Sequence, residues 1–171
     1  MLTSEIETAM NRQIGAELAS AHLYLAMSAY CEAESLPGSA HWFRIQADEE
    51  RAHAMRFFRH VVDRGGRVRL EGLDAPPAAF GSPREAFERA LEHEREVTSM
   101  IDALYALAVR HDDYASQVFL QWFVQEQVEE EKQVSELVRI LSAVEDDPVS
   151  MLVFDRELGG REPEAGEPPG D

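Results

Sequence analysis

Cysteine is nearly absent from this chain of 171 residues: Cys31 stands alone, which excludes an intramolecular disulfide and fits a reducing compartment with the thiol as small core filler. Glycine and proline are scarce, at 10 and 8 residues, and Pro76, Pro77, Pro168 and Pro169 fall in two short stretches. What remains is long uninterrupted sequence rich in Ala, Leu, Glu and Arg, which favours helix, so the chain is expected to be all-α. Positive charge is also in short supply. With 16 Lys and Arg against 33 Asp and Glu, the formal charge is −17, which argues against a nucleic-acid backbone or an anionic membrane as partner and favours cations. No apolar run approaches the roughly 20 residues that span a bilayer, and no basic-then-apolar leader opens the sequence, so a cytoplasmic protein is expected.

The length suits one domain with a substantial core. Helices are expected over about 4–33, 37–64, 83–110 and 114–144, with a short fifth over 148–158 and a disordered acidic, Pro- and Gly-rich tail over 159–171. Ser4 and Glu7 read as a capping box. Pro37 and Gly38 break the first helix. Ser82, Pro83 and Glu85 supply an N-cap, a proline at the first helical position and an acid at the third, and Asp147 with Pro148 does the same for the fifth helix. The stretch from Gly65 to Gly81 is long for a compact domain and could run back along a helix of about 42 Å, making helices two and three parallel. The connections at Glu34 to Leu36 and His111 to Asp113 are short and require antiparallel neighbours.

Each long helix carries an acid within its apolar stripe. At 100° per residue, Ile6, Met10, Ala21, Tyr24 and Ser28 flank Glu17, and Phe43, Ala54, Phe57 and Val61 flank Glu50 with His53 at the edge. Phe87, Ala90, Thr98 and Ile101 surround Glu94; Phe119, Phe123, Val134 and Leu141 surround Glu130. An unpaired buried carboxylate costs several kcal/mol, so four of them near mid-height imply a cation between them. Carboxylates with one imidazole suit iron, manganese or zinc, and Glu50 and His53, one helical turn apart, can grip one metal while Glu50 bridges to a second. The remaining histidines, His22, His41, His60, His93 and His111, lack a partner at ligand spacing and read as surface or capping groups.

These motifs resemble the bacterial non-haem ferritins, a similarity carried from about Ser4 to Leu158 by Glu17 with Tyr24, the run Asp48-Glu49-Glu50-Arg51-Ala52-His53, Glu94, and the run Gln125-Glu126-Gln127-Val128-Glu129-Glu130. The resemblance implies a ferritin-like four-helix bundle with one long crossover plus a short C-terminal helix, assembled as a 24-subunit shell. It implies ferroxidase activity and iron storage, with dioxygen or peroxide as oxidant. It assigns Glu17, Glu50 and His53 to one iron and Glu94, Glu130 and the bridging Glu50 to a second, with Gln127 beside the second and Tyr24 hydrogen-bonding in the site or donating an electron. A third, weaker iron position would use Glu49, Glu126 and Glu129, sharing Glu130; the alternative is that these three are solvated acids. Gln127 and Glu130 stand where bacterioferritins have a second Glu-x-x-His, and Arg51 stands where they have the haem-ligating methionine, so no haem is expected. His111, Asp112 and Asp113 occupy the region lining three-fold pores in the family, although acids at a helix start also serve as caps. The apolar fifth helix would pack around four-fold axes. A di-iron oxygenase or peroxidase could use the same ligands without storing iron, and a DNA-protecting mini-ferritin would store iron but typically lacks the last helix.

Overall fold

Short polar residues fix where the helices begin. The computed structural model describes residues 2–162 and contains α1 (Ser4–Ala33), α2 (Pro37–Asp63), α3 (Pro83–Arg110), α4 (Tyr114–Val144) and α5 (Pro148–Leu158). Ser82, Asp113 and Asp147 accept the backbone N–H three residues on, each such cap contributing about 1 kcal/mol. The cap of α1 is Thr3 rather than Ser4: Thr3 is extended and its hydroxyl accepts the Ile6 N–H at 3.3 Å, while Ser4 is already helical. Three helices end alike, with a left-handed residue at Ser35, Gly65 or Asp112 and an N–H that reaches back into the last turn, from Leu36 to Cys31, Gly66 to Val61 and Asp113 to Ala108. These turns are what make the α1–α2 and α3–α4 connections short.

The start of α2 obeys a different rule. Leu36 offers no side-chain cap. The Asp155 carboxylate of α5 supplies it instead, accepting the N–H of Gly38 at 3.0 Å and of Ser39 at 2.7 Å and the Ser39 hydroxyl at 2.8 Å. Contact is so close that a Cβ on Gly38 would lie 1.6 Å from the Asp155 carbonyl oxygen. A negative group on a helix N-terminus is favourable, so α5 is docked by a specific electrostatic fit.

The long connection runs back along α1. Asn11, near the start of α1, donates to the Arg67 carbonyl and accepts from the Arg69 N–H, while Phe80 meets Tyr30 edge-on near the end of α1. The chain therefore re-enters the bundle beside the start of α2, where Phe87 packs on Phe43 with ring centroids 4.5 Å apart. Helices α2 and α3 are accordingly parallel.

Two apolar clusters fill the bundle. One contains Leu23, Met27, Phe43, Phe87, Val134 and Leu141, with Phe154 and Leu158 of α5; the other contains Met10, Ile14, Phe57, Val61, Ile101, Leu120 and Phe123. On every long helix the residues of one cluster are separated from those of the other by a short polar interval. Cys31 is fully buried in the first cluster, and burial pushes its thiol up to about 12, leaving it inert filler. Residues 163–171, most of the expected tail, lie outside the described residues. Arg161, grouped with that tail by composition, is held in place by its guanidinium: it donates to Glu49 at 2.9 Å and to Gln46 and lies over Trp42.

Candidate metal centre

The polar interval contains Glu17 on α1, Glu50 and His53 on α2, Glu94 on α3, and Gln127 and Glu130 on α4. All are buried, the four glutamates at no more than 3 % exposure. The 100° periodicity that turns the apolar residues inward turns these acids inward as well. Near-equal spacing from the helix ends then brings them to one height. Desolvating each carboxylate costs several kcal/mol, which the apolar clusters on either side must offset.

Glu17, Glu50 and His53 each present one ligand atom within 4.8 Å of the others, the one group close enough to hold an ion among the described residues. His53 Nδ1 lies 3.6 Å from Glu50 Oε2. Glu17 accepts a hydrogen bond from Gln13 at 2.9 Å on Oε1. Its Oε2 and both oxygens of Glu50 are buried and receive no hydrogen bond from any other residue, the Glu17 and Glu50 carboxyls lying against each other. Buried acceptors are almost always satisfied, so three orphaned carboxylate oxygens beside an imidazole fit a hard cation such as iron.

Glu94 and Glu130 come close enough for their charges to raise the Glu50 acid, but both oxygens of Glu94 and one of Glu130 accept from neighbours. Glu94 accepts from the Tyr24 phenol and, at 3.2 Å, from Gln127 Nε2. Glu130 accepts from Gln46 Nε2 at 2.8 Å. Nothing in local spacing singles out Gln13 or Gln46, since an amide inside an apolar stripe has no ligand pattern of its own.

The electrostatics follow from crowding. Burial and then the Glu50 charge hold the Glu17 acid well above the usual range; burial and then Glu94 do the same for Glu50. Glu94 is raised by burial against the pull of Tyr24 and Gln127. Burial, with the Glu94 charge next, lifts Glu130 to about 8. The Tyr24 phenol is raised by burial and by Glu94, so it stays protonated and donates. Metal-free, the cluster retains protons that a bound cation would displace.

The three acids expected around a third position are differently placed. Glu126 is half-buried with Oε1 3.9 Å from His53 Nε2, Glu49 pairs with Arg161, and Glu129 is exposed. Arg51 is exposed. Two of the histidines read as surface or capping groups are packed against the bundle: His93 is half-buried with Nε2 2.7 Å from the Ser20 hydroxyl and its ring edge-on to Tyr24, and His60 stacks on Phe119 at 4.1 Å. Long-range packing, invisible in local spacing, recruits both. Asp113 caps α4 and pairs with Arg64 at 2.9 Å, the ordinary capping role; His111 pairs with Glu5.

Four long helices with one crossover, enclosing a carboxylate and imidazole cluster between two apolar halves, define a ferritin-like bundle with a candidate metal centre. The sequence matches the Ferritin family, described as a ferritin-like domain, over residues 7–144. Bacterial non-heme ferritins of Bacteroides fragilis (strain 638R) and Staphylococcus aureus (strain USA300) are 39% and 38% identical over 161 residues, 94% of this chain, covering 100% and 97% of those proteins. The novel open pore ferritin from the hyperthermophilic archaeon Archaeoglobus fulgidus superimposes with a TM-score of 0.94 at 42% identity, covering 95% of this chain and 100% of that one. A closed form of that ferritin engineered by site-directed mutagenesis gives 0.93 at 42% identity, with 95% and 99% covered. The chain belongs to the ferritin family, whose general business is iron storage with ferroxidase chemistry.

Proposed function

We propose that the chain is a ferroxidase that stores and detoxifies iron in the cytoplasm. Two Fe(II) ions enter each bundle as substrate and each gives up one electron; the pair reduces dioxygen to hydrogen peroxide, or peroxide to water, with uptake of two protons. Ferric product then passes into the interior of a 24-subunit shell as oxyhydroxide mineral. The observation that carries this reading is the set of orphaned oxygens on Glu17 and Glu50 beside His53.

In this reading Glu17, Glu50 and His53 hold one iron, and Glu94, Glu130 and the bridging Glu50 hold the other with Gln127 alongside. Hard carboxylates favour the ferric product over the ferrous substrate. Tyr24 orients Glu94 through its phenol and is available to give up an electron. Glu49, Glu126 and Glu129, sharing Glu130, form a weaker third position, a reading supported by the approach of Glu126 to His53. Haem has no part in it. Assembly is supported by α5, whose Val149, Leu152 and Val153 are 70%, 69% and 53% exposed in the single chain and would be covered by other copies.

The test is anaerobic Fe(II) loading followed by an oxygen pulse, with ferric absorbance recorded by stopped flow. Glu50→Ala and His53→Ala should each slow oxidation at least about tenfold, as loss of metal-site groups typically does. Undiminished rates in both would remove the assignment. Size-exclusion with light scattering should give about 460 kDa, 24 copies of the 19.3 kDa chain; a dimer would instead favour a di-iron oxygenase or peroxidase that stores no iron.

A further inference from the structure

Beyond the centre itself, one cation from the chain already pairs with Glu49, one of the acids proposed for the third position. After α5, Gly159 and Gly160 turn the backbone so that Arg161 points back onto α2. Its Nη2 donates to Glu49 Oε2 at 2.9 Å and its Nη1 to Gln46 Oε1, while Cζ lies 5.0 Å from the Trp42 ring centroid. Its carbonyl oxygen lies 2.9 Å from His41 Nε2, and its N–H bonds to the Leu158 carbonyl. Both Arg161 and Glu49 side chains are more than four-fifths buried, at 16% and 17% exposure, so the pair is poorly screened by solvent.

Gln46 extends the contact inward. With its oxygen turned to Arg161, its amide nitrogen faces Glu130 and donates at 2.8 Å. A guanidinium on the C-terminal strap is thus one salt bridge from Glu49 and two hydrogen bonds from Glu130.

We propose that Arg161 is an intrinsic counter-cation that a divalent ion must displace in order to use Glu49, so that filling the third position releases the strap formed by residues 159–162. The strap then works as a latch: it keeps Glu49 neutralised while the position is empty and loosens as it fills. This rests on the reading of Glu49 as a third-position ligand. Arginine suits the task because its planar fork binds the carboxylate and the amide together yet leaves without a proton transfer.

The assembled full-length protein is titrated anaerobically with Zn(II), which binds without oxidation, by calorimetry in the wild type, Arg161→Ala, Glu49→Gln and the double variant. Amide exchange of residues 159–162 is followed in parallel. Removing Arg161 should tighten the weaker class of Zn(II) sites several-fold, up to about fivefold, the upper end for one ion pair of this kind. Glu49→Gln should abolish that class in both backgrounds, and saturating Zn(II) should speed exchange at Gly160 and Arg161 in the wild type. A Glu49-dependent class whose affinity ignores Arg161→Ala overturns the latch and leaves the third position standing. Finding no Glu49-dependent class in any background overturns both.

Discussion

Replacing Glu130 with glutamine should make the metal-free protein more stable, and the gain should depend on pH. Glu130 is 3% exposed and its acid is raised to about 8 from an ordinary 4.5. In the unfolded chain the same carboxyl releases its proton near 4.5. The native state therefore holds a proton that the unfolded state has lost, so stability falls as pH climbs from about 4.5 and stops falling above about 8. At 1.36 kcal/mol per pH unit the full span is about 5 kcal/mol, and about 3 kcal/mol of it is already spent at pH 7. Glutamine has the shape of the protonated acid, keeps an oxygen to accept from Gln46, and carries no such penalty. Scanning calorimetry of chelator-treated protein should show Glu130→Gln melting roughly 10 °C above the wild type at pH 8, with the difference shrinking to a degree or two at pH 5. Saturating Zn(II) should reverse the order, since the wild type binds the cation with a full ligand set. A metal-free variant no more stable than wild type at pH 8, or an advantage that persists unchanged at pH 5, would refute the reasoning.

Two further changes probe how α5 is held. Asp155→Ala removes the acceptor of three hydrogen bonds at the start of α2 and should cost about 3 kcal/mol, with faster amide exchange at Gly38 and Ser39. Unchanged exchange there would show that Asp155 is not the cap. Gly38→Ala drives a Cβ to 1.6 Å from the Asp155 carbonyl oxygen, so it should displace α5 and cost at least as much in thermal denaturation, whereas Gly15→Ala, with open space around its Cβ, should gain about 0.5–1 kcal/mol. Equal melting temperatures for the two alanine variants would contradict the packing.

Much of the centre was legible because helices are local. The cap chemistry at Ser82 and Asp147 and the turns past Ala33 and Arg110 depend on residues within one or two turns, and the apolar stripes that contain Glu17, Glu50, Glu94 and Glu130 depend only on a 100° step. Thr3 and Ser4 carry equivalent hydroxyls, so local sequence does not distinguish which of them caps α1; packing of the first turn makes it Thr3. His60 and His93 looked peripheral because their partners, Ser116 and Ser20, are 56 and 73 residues away.

From the sequence alone came five helices, one crossover, and the identity of the acids that face inward, since each follows from spacing within one segment. Tertiary structure decided what spacing cannot express. It put four acids at one height between two apolar halves, and it left Glu17 and Glu50 with unpartnered oxygens while Tyr24, Gln127 and Gln46 engaged Glu94 and Glu130. It also brought Asp155 to cap a helix 116 residues earlier and Arg161 to pair with Glu49 across 112 residues. Such contacts form only when whole helices pack, because the burial that fixes them belongs to the assembled bundle and leaves no periodic mark on any one strand of sequence.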